Sequence, residues 1–258
     1  MSEIIIGRNA VLEALKGDRE IEKINILKDD GSGKGLNGSI KQIIAKAKDK
    51  KIPVYYSDRN FMDKIMRNNV KTENGKMPNY QGVIATASEF EYCEVEDILK
   101  LASDKGEKPF IIILDGLEDP HNLGAVMRTA ECAGAHGVII PKRRSVSVNE
   151  TVLKTSAGAA EYMLCARVTN IGSTIDFLKE NGVWIYACDM GDSMMYQQDL
   201  TGPVAVVIGS EGFGISRLVK EKCDVTVSIP MMGHVNSLNA SNAAAILMYE
   251  IVKQRMGK

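Results

Sequence analysis

Three segments of the chain concentrate residue types that handle anions and polar ligands. The first runs from Asp115 to Ala130 (DGLEDPHNLGAVMRTA) and carries Asn122 and one arginine, Arg128, among small residues. A lone arginine on such a helix either pairs with a buried acid or faces an anion. Asn122 fits either a helix N-cap or a ligand-binding amide. The second segment, Ile208 to Gly214 (IGSEGFG), follows a β-branched run and holds one acid, Glu211, between glycines. Glycines let a ligand approach the backbone closely. Glu211 reads either as a cap for a helix starting near Ile215 or as a ligand-site acid. The third segment is Ile229-Pro230-Met231 followed by Ser237 to Asn242 (SLNASN). Ser237 or Asn239 can cap the helix that follows, but one cap needs one residue. The surplus of hydroxyls and amides suggests hydrogen bonding to a ligand at that helix start.

These residues need strand ends and helix starts to position them. Val204 to Ile208 and Val225 to Ile229 read as strands, and each ends in a segment just described. The ends of such strands form a crevice at the carboxyl edge of an α/β sheet. Phe110 to Leu114 is a continuous apolar strand, as in a sheet covered on both faces. Gly137 to Ile140 and Val183 to Cys188 are further strands. Helices are expected over Asn122 to Gly134, Glu150 to Ala160, Ile171 to Asn181 and Asn239 to Arg255.

Upstream, a short strand and helix span 4–16. Strands follow at Ile24 to Leu27, Val54 to Tyr56 and Gly82 to Ala87. Helices are expected at Ile40 to Lys50 and Asp58 to Arg67, the latter capped by Ser57 or Asp58. Asp29 to Ser39 and Lys71 to Tyr80 read as loops, the first mobile and glycine-rich. The expected class is α/β: a small N-terminal domain at 1–88, a linker at 89–108 with a short helix from Val95 to Ser103, and a larger, mostly parallel α/β domain at 109–258.

Composition excludes several classes. The 258 residues, 45% hydrophobic and 25% charged, have a composition ordinary for a soluble globular protein. The chain has no apolar run of membrane-spanning length, and no signal peptide is expected from its first residues. The five cysteines are scattered, without a CxxC pair, so neither zinc nor a disulfide framework is expected; reduced thiols in a cytoplasmic protein fit better. Net charge is −1, but residues 1–90 hold 16 Lys+Arg against 12 Asp+Glu, so the first domain is mildly basic and suited to a polyanion. Its Lys46 to Lys51 run fits an RNA contact or a solvated helix face, and Tyr55, Tyr56 and Phe61 are candidates for base stacking. The glycine loop does not fit G-x-G-x-x-G and follows a late strand, which disfavours a nicotinamide cofactor. His121, His136 and His234 lack a G-x-S-x-G partner, which disfavours a Ser-His-Asp hydrolase.

Taken in order, the segments Asn122-Leu123-Gly124-Ala125…Arg128-Thr129-Ala130, Gly209-Ser210-Glu211-Gly212…Gly214 and Ile229-Pro230-Met231…Ser237-Leu238-Asn239-Ala240-Ser241 resemble the three motifs of the SpoU/TrmH family of RNA 2′-O-ribose methyltransferases, of the SPOUT class. The Gly7-Arg8-Asn9-Ala10-Val11 start resembles that family's small substrate-binding domain, and the arrangement is similar to the bacterial 23S rRNA guanosine 2′-O-methyltransferase subgroup. The resemblance implies S-adenosylmethionine as cofactor, a homodimer and a C-terminal trefoil knot. It assigns Arg128, Asn122, Glu211, Ser237 and Asn239 to catalysis, with Arg128 acting on the ribose hydroxyl. It assigns Gly209, Ile229 and Leu238 to the cofactor, with Ala187, Met231 and Gly212 as neighbours. Two alternatives stand beside 23S rRNA methylation: a tRNA ribose methyltransferase, and a non-catalytic RNA-binding or ribosome-assembly protein of the same fold.

Overall fold

The computed structural model describes residues 2–17, 20–28, 38–70, 77–88, 90–191 and 193–257. They divide into two compact units, Met1–Glu91 with Val148–Tyr162, and Tyr92–Ser147 with Met163–Lys258.

The first unit contains β1 (Ser2–Ile6), α1 (Arg8–Ala14), β2 (Ile21–Leu27), α2 (Gly38–Asp49), β3 (Val54–Ser57), α3 (Arg59–Asn69) and β4 (Val83–Ser88). Its sheet has the order β1-β4-β2-β3, with only β2 and β3 parallel. Ile4, Ile6 and Ile84 pack with Met62 and Met66 of α3. Asp58 caps α3 by accepting from the Phe61 amide at 2.8 Å. Most of the expected Asp29 to Ser39 loop, residues 29–37, lies outside the described residues, as do 71–76 of the second loop; Gly38 and Ser39 already belong to α2.

The second unit opens with α4 (Val95–Asp104), β5 (Phe110–Asp115), α5 (Pro120–Cys132) and β6 (Gly137–Pro141). The chain then returns to the first unit for α6 (Glu150–Thr155). The second unit resumes with β7 (Leu164–Val168), α7 (Ile171–Glu180), β8 (Trp184–Cys188), β9 (Val204–Gly209), α8 (Arg217–Lys220), β10 (Val225–Val227) and α9 (Ala240–Arg255). Its strands form one sheet in the order β10-β8-β9-β5-β6-β7, and every neighbouring pair is parallel. All six carboxyl ends therefore lie on one edge. From β5 the chain departs toward β6, whereas from β9 it departs the other way, past β8 to β10. Adjacent strands whose connections diverge leave a crevice between them at that edge.

Three sequence expectations change. The 89–108 segment is not a free linker. Val95 and Ile98 of α4 join the second unit's core, and Cys93 bridges to Ala166 of β7. Ile98 lies so close to β6 that a Cβ on Gly137 would stand 2.5 Å from it, so that position has no room for a side chain. Strand β7 was not anticipated. The helix expected over Glu150 to Ala160 stops at the end of α6 and resumes as a 3₁₀ turn, Ala159–Glu161. Between them Ala157 and Gly158 take φ of 53° and 96°, which no helix can continue through. Gly158 is required there: a Cβ would lie 2.3 Å from that of Glu13. Among the described residues no helix is long and apolar enough to cross a membrane.

Candidate active site

The loop from Gly209 to Gly214 is closed on itself by two backbone hydrogen bonds. Ser210 N–H donates to the Gly214 carbonyl at 3.1 Å, and Gly214 N–H donates to the Ser210 carbonyl at 2.9 Å. Gly214 has φ +65°, and a Cβ on Gly209 would stand 2.1 Å from the Gly214 carbonyl carbon. Only glycine permits so tight a return at the end of β9. The loop is tied down behind by Ser216 N–H, which donates to Asp115 Oδ2 at 2.7 Å.

Glu211 does not cap a helix. Its Oε1 accepts from the Asn122 side-chain amide and, at 3.3 Å, from Asn239 Nδ2. One carboxylate thus joins the glycine loop to the starts of α5 and α9. Asn122 is free for this because it is not the cap of α5. Asp119 is, accepting from His121 N–H at 2.8 Å, with Pro120 at the first helical position. Asn239, by contrast, is the cap of α9. Its Oδ1 accepts from Ser241 N–H at 2.9 Å and Ser241 Oγ–H at 2.6 Å while its amide reaches Glu211. Both ends of that side chain are committed.

Beside the loop lies a cavity of about 420 Å³ at the ends of β8, β9 and β10. Of the residues expected at a cofactor, Gly209, Gly212, Ile229, Met231 and Leu238 line it, and so do Glu211 and Ser237 from the catalytic set. Ala187 does not. It is fully buried in the core beside Ile185 and Val207, because strand alternation turns it inward, and its successor Cys188 faces the cavity instead. Cys188, Asp189, Ser228 and Asn236 are lining residues that sequence reasoning missed. Asp189 is held by Lys220 at 2.7 Å. Burial, with Asp189 adding, pushes the Cys188 thiol up to about 11, so it stays protonated at neutral pH.

Arg128 is exposed on α5 and is not among the residues lining the cavity. None of the described residues forms an ion pair or hydrogen bond with its side chain, which removes the buried-acid alternative. Of the three histidines, His136 is buried. Its Nδ1 accepts from Phe110 N–H at 3.0 Å and its Nε2 meets Glu107 at 3.0 Å, both near the opposite ends of the strands. No group of three or more metal-ligating side chains occurs among the described residues.

Comparison with known proteins fits this arrangement. Residues 109–249 match the model of the SpoU rRNA methylase family. The chain belongs to that family. Residues 4–93 match a second model, that of RNA 2′-O ribose methyltransferase substrate binding. YacO, a TrmH-family tRNA/rRNA methyltransferase of Bacillus subtilis strain 168, is 44% identical over 98% of this chain and 96% of its own length. A TrmH-family tRNA/rRNA methyltransferase of Staphylococcus aureus strain MSSA476 is also 44% identical, over 98% and 96%. Among solved structures, the SpoU methyltransferase AviRb from Streptomyces viridochromogenes, in complex with AdoMet, superposes with a TM-score of 0.79 at 22% identity, covering 99% of this chain and 91% of that one. An RNA 2′-O ribose methyltransferase gives 0.74 at 26%, covering 99% and 89%. This SpoU/TrmH chain is an RNA methyltransferase with an α/β fold.

Proposed function

We propose that this methyltransferase transfers a methyl group from S-adenosylmethionine to a ribose 2′-hydroxyl, that of a guanosine in 23S rRNA, working as a cytoplasmic homodimer with a C-terminal trefoil knot. The observation that carries the reading is the Glu211 carboxylate, which gathers the three motif segments at the rim of one cavity. The cavity suits the cofactor. Ile208, Ile229 and Leu238 offer apolar wall, while Asn236 and Ser237 offer hydrogen-bonding groups, the mixture that an adenosine joined to an amino acid requires. When bound, the cofactor supplies an electrophilic sulfonium methyl.

The protein's residues must then align the hydroxyl with that methyl and stabilise the oxygen as it loses its proton. Gly209, Gly212, Ile229, Met231 and Leu238 hold the cofactor. Glu211, Asn122 and Asn239 fix the loop, and Ser237 orients the ligand. Arg128 carries a permanent positive charge with no partner of its own among the described residues. A guanidinium is a poor proton acceptor, so its role is to stabilise the developing alkoxide rather than to act as base; the hydroxyl proton passes to solvent, and the C–S bond electrons leave with the demethylated thioether. The first unit grips the RNA: its match to a substrate-binding model and its basic balance both favour this.

The ribosomal target is favoured by the rRNA methylase family match; the Bacillus relative's tRNA/rRNA name keeps a tRNA ribose as the second reading. Nuclease digestion of methylated RNA followed by mass spectrometry tests the proposal. It should yield 2′-O-methylguanosine from 23S rRNA. A methyl group on a base would overturn it, and one on tRNA ribose would select the second reading.

A further inference from the structure

A second groove, of about 740 Å³, lies at the ends of β5, β6 and β7 in the same unit. It shares Ser210, Phe213 and Gly214 with the cofactor cavity, so the glycine loop is the wall between the two. At the tip of that wall the Phe213 side chain is 96% exposed. A bare phenyl ring on a loop closed by two backbone hydrogen bonds costs solvation and gains no packing, the pattern of a ring awaiting a flat partner.

The opposite side of the groove carries Arg143 and Arg144, consecutive and exposed, with no partner among the described residues. Their loop is fixed. Ser145 Oγ–H donates to the Leu117 carbonyl at 3.0 Å and Val146 N–H donates to it at 2.9 Å. Arg144 holds φ +55°, a conformation that bulky residues rarely adopt. Of the groove's other charges, Lys222 pairs with Asp176 and Glu221 with Arg217 at 3.5 Å, while Asp115 accepts from Ser216 N–H and keeps its charge. Glu118 is the remaining acid on its wall.

We infer that this groove is the subsite for the RNA strand around the target nucleotide, with Phe213 stacking on a base and Arg143 and Arg144 holding a backbone phosphate. This rests on the RNA methylation reading above. The lining as a whole is balanced, but a pair of unpartnered arginines opposite an exposed aromatic side chain is what single-stranded RNA requires, because every base has a face to stack and every linkage a charge to neutralise. The wall position puts that strand beside the cavity from which the methyl group would come.

The test uses the full chain in three forms: wild type, Phe213→Ala, and Arg143→Gln with Arg144→Asn, asparagine being tolerant of the left-handed backbone. Affinity for S-adenosylmethionine is measured by calorimetry, KM and kcat by methyl transfer to rRNA, and binding of a single-stranded RNA oligonucleotide by anisotropy at several salt concentrations. The arginine variant should keep the cofactor affinity, and both variants should raise the RNA KM about tenfold or more, for Phe213→Ala by more than any change in cofactor affinity. The arginine pair should also flatten the salt dependence of RNA binding. Unchanged RNA KM and oligonucleotide affinity in both variants would overturn the subsite. If wild type methylates no RNA, the functional reading fails by itself. The anisotropy still decides the groove, where equal binding by all three forms refutes it and loss in both variants upholds it.

Discussion

The Asn122 amide donates a hydrogen bond to the carboxylate of Glu211, although 89 positions separate them in the chain. Asn239 approaches the same oxygen from α9. The glycine loop is thereby held against two helix starts by one charge, and it lines the cavity proposed to hold the cofactor.

The substitution Asn122→Asp would set a new carboxylate against that of Glu211 and against that of Asp119, to which the Asn122 amide also donates at 3.4 Å. Asp119, not Asn122, caps α5, so the helix should persist. Cofactor affinity should fall at least about tenfold, corresponding to ~1.4 kcal/mol. Adding Glu211→Gln should recover part of the loss, because the glutamine amide can donate to the carboxylate that the first substitution introduces. Calorimetric titration of wild type, the two single variants and the double variant checks this. Additive losses in the double variant would show that the two side chains act independently.

Gly209→Ala should be more damaging to binding than to folding. The added methyl would overlap the Gly214 backbone, so the loop must open, while β9 up to Ile208 stays paired with β5 and β8. We expect no measurable cofactor binding with a thermal unfolding midpoint lowered by only a few degrees. Retained binding would mean that the loop can re-form around the methyl group.

His136 should make stability depend on pH. Its burial holds the imidazole below its usual range, outweighing the opposing pull of Glu107, and its Nδ1 must be unprotonated to accept from Phe110. The unfolded chain protonates this histidine at about pH 6.5, where the folded chain resists. Fewer protons bound in the folded state means stability that is present above that pH and declines as pH falls below it, by at most ~1.4 kcal/mol per unit. Denaturant melts of wild type and His136→Gln from about pH 7.5 down to about pH 5 should show the wild type losing its midpoint more steeply. Parallel curves would contradict the assignment.

The Cys188 thiol, pushed up to about 11, should react slowly with disulfide reagents at neutral pH. Cys132, exposed on α5, should react first. S-adenosylmethionine should slow the Cys188 reaction further while leaving Cys132 unaffected. Mass spectrometry of partially modified protein distinguishes the two sites. Equal protection of both would place the ligand elsewhere.

The sheet edge and its three segments were legible because glycine, proline and β-branched runs mark strand ends without help from tertiary contacts. Strand β7 was not, since Leu164–Val168 carries Arg167 near its end, a charge that only the fold half-covers by placing its guanidinium over the Tyr92 ring at 5.4 Å. The α4 helix was seen, but its polar flanks suggested a linker, and only the fold shows Val95 and Ile98 entering the core. Asp119-Pro120 carried the true helix start, and reading it would have released Asn122 from the capping role. Cys188 and Asp189 had no signal in sequence, because their place at the cavity follows from β8 lying between β9 and β10.

The most direct test of the account follows label from S-adenosylmethionine into purified 23S rRNA and tRNA with wild type and Arg128→Ala side by side, with cofactor affinity and melting temperature measured in parallel. Arg128 is exposed and has no side-chain partner among the described residues, so the variant should fold and bind cofactor as wild type does. It should nevertheless lose about a hundredfold or more in turnover, as when a transition-state charge partner is removed. Wild type should label 23S rRNA. Near-normal turnover by Arg128→Ala would contradict the role given to this arginine, and absence of label in any RNA with wild type would contradict the proposed reaction.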